Sequence, residues 1–323
     1  MRIKSSLFII TAFLLPTIAN AGTPNVADNT PQQRYADLAT AKWLHGAKSC
    51  KKNTNPAIQV MQADASTYVL RQNKCVTFEA PFIYVLFGKD KVLVVDTGAN
   101  ESPELSPIYQ TVEALIEQQG GRINGKPEVL VVHSHSHGDH TKGDSQFLGK
   151  PGVEVVGTNT QALETQLGLN DWPNKQSSID LGGRVLTLIA IPGHQEQSIA
   201  IYDPQTQWLL SGDSLYPGSI RVKNWSDYRA SIQRLFEFSQ GNPVSLIMGA
   251  HIEFNAEKNK LYKIGTTYQP NETPLGMQVG QLKILNDKLQ TTTKAKKLKF
   301  ENFVISPLSG FEKLLIKALS KSN

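Results

Sequence analysis

The 323-residue chain has a globular composition, with 40% apolar and 19% charged residues, so a disordered chain is not expected. Its formal net charge is +5 and falls to about +3 if the first 21 residues are removed, because Arg2 and Lys4 leave without an acidic partner. A balance this close to neutral argues against nucleic-acid binding. The one strongly basic run, residues 294–299, is expected to be a solvated linker face.

The N-terminus has the three parts of a secretory signal peptide. Two basic residues precede an apolar run from Leu7 to about Ile18, and Ala19-Asn20-Ala21 follows as a cleavage pattern. The apolar run is short for a membrane span, so an uncleaved anchor is the weaker alternative. No cysteine follows the cleavage site to carry a lipid. We therefore predict a signal peptide at 1–21 and a periplasmic or secreted protein with no membrane anchor.

Export bears on the two cysteines of the chain, Cys50 and Cys75. An oxidising compartment favours a disulfide between them, and two free thiols are the alternative. Neither cysteine is near the histidine-rich segment described below, so we do not assign them as metal ligands.

The first part of the mature chain contains a polar lead-in followed by strand patterns. Residues 22–67 are predicted to be this lead-in, and strand signals begin at Tyr68. The apolar runs "FIYVLFG" (82–88) and "KVLVVDTG" (91–98) are separated by a Lys-Asp pair, which predicts a hairpin between partly buried strands.

A helix is predicted between residues 103 and 119, ended by a pair of glycines. Its apolar stripe is expected to contain Leu105, Ile108, Val112 and Leu115. The segment "EVLVVHSH" follows as another buried strand and leads directly into a cluster of histidines.

Further strands and helices interleave along the rest of the chain, which predicts sheets covered by helices, an α/β (α+β) architecture. The strand candidates are residues 153–157, 184–191, 198–203, 208–212 and 244–251. A helix is predicted around residues 228–238. We expect one domain over residues 68–265 and a C-terminal extension, 266–323, whose amphipathic end "GFEKLLIKALSK" packs on the body as a helix.

Four of the seven histidines of the chain lie between residues 133 and 140, in "HSHSHGDH". Alternate side chains of an extended strand share a face, so His135 and His137 can bind one metal ion together. Asp139 and His140 follow a glycine that lets the chain turn, and they can face a second ion. Imidazole and carboxylate ligands without a thiolate suit zinc, and a lone buried histidine would not explain this spacing.

The motif His135-Ser136-His137-Gly138-Asp139-His140 resembles the signature of the metallo-β-lactamase superfamily. The later Pro-Gly-His, Gly-Asp and Gly-Ala-His turns, each after a predicted strand, are similar to the other motifs of that family. The resemblance covers roughly residues 68–255 and implies an αββα sandwich with the metals at one edge of two packed sheets.

The resemblance also implies a ligand set for two metal ions, zinc in the first instance, with iron or manganese as alternatives. The first ion would be bound by His135, His137 and His194. The second would be bound by Asp139, His140 and His251, with Asp213 bridging both. Asp96 matches a position that supports the ligands by hydrogen bonding. His133 is not part of this ligand set and is expected to be a packed residue or a support for the ligands. His45 is expected to be structural.

Two such ions and two carboxylates, with a bridging hydroxide, leave the site at about +1, which favours a small anionic substrate. Metals about 3.5–4 Å apart can activate water and polarise a carbonyl. Asp139 is placed to orient the nucleophile and to pass its proton to the leaving group. The implied activity is metal-dependent hydrolysis of an ester, thioester, lactone or related carbonyl bond.

Asp213 makes the chain more similar to the glyoxalase II and lactonase branches than to the β-lactamases proper. "SGDSLYPGS" resembles a glyoxalase-type turn and would place Tyr216 beside the metals, either bonding an oxyanion or packing. Arg221 and Lys223 are candidate substrate anchors. Lys142 stands where the family pattern has glycine, and it either faces the pocket or lies on the surface.

Two other functions remain open from the sequence. A zinc β-lactamase is consistent with export, although Asp213 counts against it. An iron-dependent oxidoreductase of the same fold is the second alternative, although His137 stands where flavodiiron sites usually have glutamate. The oligomeric state is not readable from the sequence.

Overall fold

A computed structural model describes residues 41–310 of the chain. The predicted signal peptide, and the predicted C-terminal helix from residue 311 onward, lie outside this range. Within it, no helix is both long and apolar enough to cross a membrane.

The described range contains seventeen strands. In chain order they are β1 (Ile58–Asp64), β2 (Thr67–Gln72), β3 (Phe82–Phe87), β4 (Lys91–Val95), β5 (Glu128–Val132), β6 (Val153–Val155), β7 (Ser177–Asp180), β8 (Val185–Ala190), β9 (Ile199–Asp203), β10 (Trp208–Gly212), β11 (Ser219–Val222), β12 (Leu246–Gly249), β13 (Phe254–Asn255), β14 (Lys260–Leu261), β15 (Gly276–Met277), β16 (Leu298–Lys299) and β17 (Val304–Pro307).

Five α-helices accompany the strands over the same range. They are α1 (Ile108–Gln118), α2 (Gly138–Thr141), α3 (Thr160–Leu167), α4 (Trp225–Gly241) and α5 (Val279–Gln290). A 3-10 turn, Lys142–Gln146, continues directly from α2.

Two six-stranded sheets form the centre of the fold. The first has the order β1-β2-β3-β4-β5-β6, and the second has the order β15-β12-β10-β9-β8-β7. Strands β4 and β5 are parallel neighbours, as are β10 and β12, so within each pair the carboxyl ends reach the same edge of the sheet. This edge is where the candidate site lies.

The sheets pack face to face, with helices on both outer faces. The central core is formed by apolar side chains from both sheets, such as Leu86 and Val132 from one and Leu188 and Leu210 from the other. Helix α1 covers the outer face of the first sheet, and α4 with α5 covers the outer face of the second. The result is a four-layer αββα sandwich, and the predicted fold class is confirmed.

Buried polar contacts also join the two sheets. The guanidinium of Arg184 donates to both carboxylate oxygens of Asp203 and, across the sandwich, to the carbonyl of Phe87 and the hydroxyl of Thr67. The side chains of Arg184 and Asp203 are 3% and 1% exposed, so each charge depends on the other for compensation. Nearer the N-terminus, Cys50 and Cys75 form the disulfide that the sequence predicts.

Two details differ from the sequence expectation. Leu105 does not belong to the buried stripe of α1: the helix starts only at Ile108, after Pro107, and the Leu105 side chain is 57% exposed in the preceding turn. The first sheet also begins before residue 68, because β1 forms its edge. Residues 276–277 extend the second sheet in the same way, so the sheets draw on both segments that flank the predicted domain.

Candidate metal centre

Three histidine nitrogens converge at the carboxyl edge of the sheets. Nδ1 of His137 lies 2.9 Å from Nε2 of His135 and 3.2 Å from Nε2 of His194. His135 and His194 are buried, while His137 is the most solvent-accessible of the three and forms the open side of the group. Together they offer three nitrogen atoms to one ion and leave one side open.

The position of His194 depends on the glycine before it. Gly193 has φ +143°, and a Cβ there would lie 2.4 Å from Cα of Tyr228 in α4. The backbone amides of Lys223 and Asn224 both donate to the Gly193 carbonyl. No side chain fits between this turn and α4, which explains the Pro-Gly-His sequence at the end of β8.

A second group of ligand atoms lies beside the first. It contains Asp139, His140, Asp213 and His251, whose ligand atoms all lie within 4.8 Å of one another. Oδ2 of Asp139 is 3.3 Å from Nε2 of His140 and 3.2 Å from Nε2 of His251. The group therefore offers two imidazole nitrogens and two carboxylates.

Asp213 faces both groups. Its Oδ1 lies 3.3 Å from Nε2 of His251 and 3.6 Å from Nε2 of His140, in the second group. Its Oδ2 lies 3.7 Å from Nε2 of His194, in the first group. One carboxylate is thus directed at two neighbouring positions, which is the arrangement that a bridging ligand needs.

Hydrogen bonds behind the ligands fix how the rings are turned. Asp96 accepts hydrogen bonds from the Ser134 amide at 2.7 Å and the Ser134 hydroxyl at 2.9 Å, and its Oδ2 lies 2.8 Å from Nδ1 of His140. The Ser134 hydroxyl also lies 3.2 Å from Nδ1 of His135. These contacts place a proton on Nδ1 of each ring and leave both Nε2 atoms available to an ion.

Backbone carbonyls fix the ring orientation of the other two buried histidines. Nδ1 of His194 lies 2.6 Å from the carbonyl of Arg221, and Nδ1 of His251 lies 3.2 Å from the carbonyl of Glu79. Nε2 of each ring is thereby the atom turned toward the carboxylates.

The electrostatics of the two groups differ. Burial lowers the pKa of His135 well below its usual value and that of His137 to about 4, so both rings are neutral and have a lone pair to offer. Burial also lowers the pKa of His140, but the charges of Asp96 and Asp139 outweigh it and raise the pKa well above the usual range. The second group therefore attracts positive charge.

The two carboxylates remain ionised although most of their surface is buried. Burial raises the pKa of Asp139 and of Asp213, but neighbouring histidines lower both values to well below the usual range. The histidine with the largest effect is His140 for Asp139 and His251 for Asp213. A cation at this position could replace the protons that otherwise balance these carboxylates.

The unsatisfied atoms of the site fit a metal ion. Among the described residues, Nε2 of His140 and Oδ1 of Asp213 are buried side-chain atoms without a hydrogen-bond partner. Buried polar atoms are rarely left unpaired, and both of these are directed into the second group. The all-nitrogen and oxygen donor set suits zinc, iron or manganese.

The candidate substrate residues are less directly placed than the candidate ligands. The Tyr216 ring contacts His251 edge to face, and its hydroxyl donates to the Ser219 carbonyl at 2.8 Å, which favours packing over oxyanion binding. Arg221 contributes its carbonyl to His194, and Lys223 pairs with Glu196 at 3.2 Å. Far from the ligands in sequence, His45 contacts the Tyr268 ring, consistent with the structural role expected for it.

Sequence reasoning missed Glu79 and Glu253. The carbonyl of Glu79 holds His251, and burial together with the charge of Asp139 raises the pKa of its carboxyl. Glu253 accepts a hydrogen bond from the Ser219 amide at 2.9 Å and lies 3.3 Å from the Tyr216 hydroxyl. Every residue has a backbone carbonyl, so the residue type at position 79 does not reveal that its carbonyl supports His251. Only the spacing of Glu79 from the histidine motif could have suggested this role.

The αββα sandwich thus gathers seven candidate metal-ligand side chains at one edge of its sheets, the arrangement expected of a metal-dependent hydrolase. The chain belongs to the metallo-beta-lactamase superfamily, whose family model matches residues 76–251.

Two curated relatives are hydrolases, as this protein is. Acyl-coenzyme A thioesterase MBLAC2 of Bos taurus is 27% identical over 225 residues, which cover 58% of this chain and 77% of that protein. Hydroxyacylglutathione hydrolase of Idiomarina loihiensis is 24% identical over 234 residues, which cover 72% of this chain and 83% of that protein. Among solved structures, a metallo-beta-lactamase from Pontibacter korlensis is 17% identical and covers 73% of this chain and 100% of its own, with a TM-score of 0.46.

Proposed function

We propose that this protein is a dinuclear zinc hydrolase that cleaves a thioester or a related ester or lactone bond. The observation that carries the proposal is the position of Asp213, whose two oxygens face two adjacent groups of ligand atoms. A single-metal site would not need a carboxylate directed at both groups. The thioester is placed first because acyl-coenzyme A and hydroxyacylglutathione, named in the two relatives, are both thioesters.

Seven residues would hold the metal ions. The proposed ligands of the first ion are His135, His137 and His194, those of the second are Asp139, His140 and His251, and Asp213 is shared. Divalent ions, when bound there, supply Lewis acidity that polarises a carbonyl and activates water.

Asp139 is the residue that we assign to proton transfer. Its side chain is 15% exposed, so it can be reached from the open side of the site, and its carboxylate is ionised. In that state it can orient a water molecule, accept the proton released on attack, and deliver it to the departing sulfur or oxygen.

Lys142 is proposed to attract the negative charge of the substrate. A Cβ on Gly138 would lie 3.2 Å from Cε of Lys142, so the lysine side chain lies along the turn that carries Asp139. The charges of Lys142 and Asp139 both shift the pKa of the Glu79 carboxyl, so both lie within electrostatic range of it. Lys142→Met should raise KM for an anionic thioester more than for a neutral one.

Substrate class is tested by a panel of hydrolysis assays on the zinc-loaded protein. We expect turnover of an acyl-coenzyme A or a hydroxyacylglutathione, measured by the free thiol that is released. Asp139→Ala should lose that turnover. Turnover of nitrocefin in preference to every thioester, ester and lactone would favour the β-lactamase alternative. About one iron and no zinc in the purified protein would favour the oxidoreductase.

We further propose that the protein acts outside the cytoplasm. The proposal is supported by the signal-peptide pattern of residues 1–21 and by the Cys50–Cys75 disulfide, which suits an oxidising compartment. Sequencing the N-terminus of protein from a periplasmic or culture fraction tests it: a start near residue 22 supports export, and an intact Met1 in the cytoplasmic fraction contradicts it.

A further inference from the structure

His133 has no place in the proposed ligand set, although it begins the histidine-rich segment. Its side chain is 1% exposed, and its Nε2 lies 2.8 Å from Oδ1 of Asp144. Its Nδ1 is buried and has no hydrogen-bond partner among the described residues. The proton of a neutral ring is therefore best placed on Nε2, which donates to the Asp144 carboxylate.

Asp144 connects His133 to the backbone of a candidate ligand. The same Oδ1 accepts a hydrogen bond from the Thr97 hydroxyl at 2.7 Å. The Thr97 amide in turn donates to the carbonyl of His140 at 2.8 Å. A continuous set of contacts thus joins the ends of β5 and β4 to the turn that contains His140.

The packing of this turn on Thr97 leaves no free space. A Cβ on Gly143 would lie 2.3 Å from the Thr97 carbonyl oxygen, so the Gly143 backbone packs directly against Thr97. Gly98 and Thr141 form a further bridge between the same two segments. The turn is therefore fixed against Thr97 from its start, near His140, to Asp144.

We propose that the His133–Asp144 pair positions Asp139 and His140 for the second metal ion. Both of these residues lie on α2, the short helix from which the turn to Asp144 continues. His194 of the first group is supported elsewhere, because its Nδ1 lies against the Arg221 carbonyl. Loss of the pair should weaken the second ion selectively, and His133 and Asp144 are positioning residues rather than ligands. This inference rests on the two-ion centre proposed above.

The test compares Zn²⁺ binding by the wild-type protein, four variants of the pair and one control variant, in competition with a chelator. Asp144→Ala removes the acceptor, whereas Asp144→Asn keeps an oxygen at the same position. His133→Gln keeps an N–H close to the position of Nε2, whereas His133→Ala removes it. Asp180→Ala is the matched control, because its Oδ1 accepts two backbone hydrogen bonds in the β7–β8 turn, away from the ligands.

We expect Asp144→Ala and His133→Ala to weaken the second Zn²⁺ by about 10- to 100-fold, as for other residues that support metal ligands. The first Zn²⁺ should bind as in the wild type, and Asp144→Asn and His133→Gln should restore most of the second affinity. The thermal unfolding of each metal-free variant identifies any that does not fold, and because Asp144 is 24% exposed, Asp144→Ala provides a substitution less disruptive than His133→Ala.

Three results would overturn the inference: unchanged affinity for both ions in Asp144→Ala, equal weakening of both ions, or an equal effect of Asp180→Ala. A wild-type protein that binds fewer than two ions would contradict the proposed centre itself. The two failures are therefore distinguishable.

Discussion

Replacement of Asp96 by asparagine isolates the contribution of one hydrogen bond to metal binding. Asp96 has φ +69°, a left-handed conformation that asparagine tolerates at least as well as aspartate, so the backbone should not change. The carboxylate accepts from the Ser134 amide and hydroxyl and faces Nδ1 of His140. An asparagine has only one oxygen for these donors.

The Ser134 amide cannot give up its proton, so the asparagine oxygen should remain with it. The asparagine N–H₂ then faces Nδ1 of His140. Two N–H groups would point at each other unless the ring moves its proton from Nδ1 to Nε2. That is the atom expected to bind the ion. A hydrogen bond to a charged group contributes about 1.5–3 kcal/mol. Because about 1.4 kcal/mol corresponds to a tenfold change in Kd, the second ion should bind about 10- to 100-fold more weakly.

Chelator competition with Zn²⁺ measures this change, with Asp180→Asn as a control for an aspartate that supports only a turn. The stability of the metal-free protein, measured by urea unfolding, is expected to change far less than the affinity. An Asp96→Asn protein that binds both ions as tightly as the wild type would refute the assignment of Asp96 as a support for His140.

Three further substitutions test other parts of the account. Asp213→Ala should lower the zinc content toward one per chain, because one carboxylate faces both groups; elemental analysis that still finds two would show that Asp213 does not bridge. Asp139→Ala should abolish turnover and weaken the second ion, and full activity would remove Asp139 from the mechanism. Arg184→Met leaves Asp203 buried without its partner and should cost about 3–5 kcal/mol in urea unfolding; an unchanged midpoint would contradict that role for the pair.

Four of the candidate ligands could be predicted because each follows a strand with a strong apolar signal. His135, His194, Asp213 and His251 follow β5, β8, β10 and β12, and motif spacing brings them together. The supports were harder to predict. The carbonyls of Glu79 and Arg221 carry no residue-type signal, and Asp144 acquires its role only when the chain turns back onto Thr97.

The same contrast applies to the fold. Central strands such as β3 and β4, joined by their Lys-Asp turn, are apolar enough to be predicted from sequence. Strand β15 has only two residues, and β1 is half exposed at a sheet edge, so neither has a periodic pattern to distinguish it from a loop. Leu105 shows a related limit: helical spacing extended the apolar stripe to the N-terminal side of Pro107, although the helix begins only at Ile108.

Metal content and thioester hydrolysis, measured on the same preparation, test the central claim most directly. We expect about two zinc ions per chain, loss of thioester hydrolysis when a chelator removes them, and recovery when zinc is returned. A protein that holds no more than one ion, or that hydrolyses thioesters equally well after all metal has been removed, would contradict it.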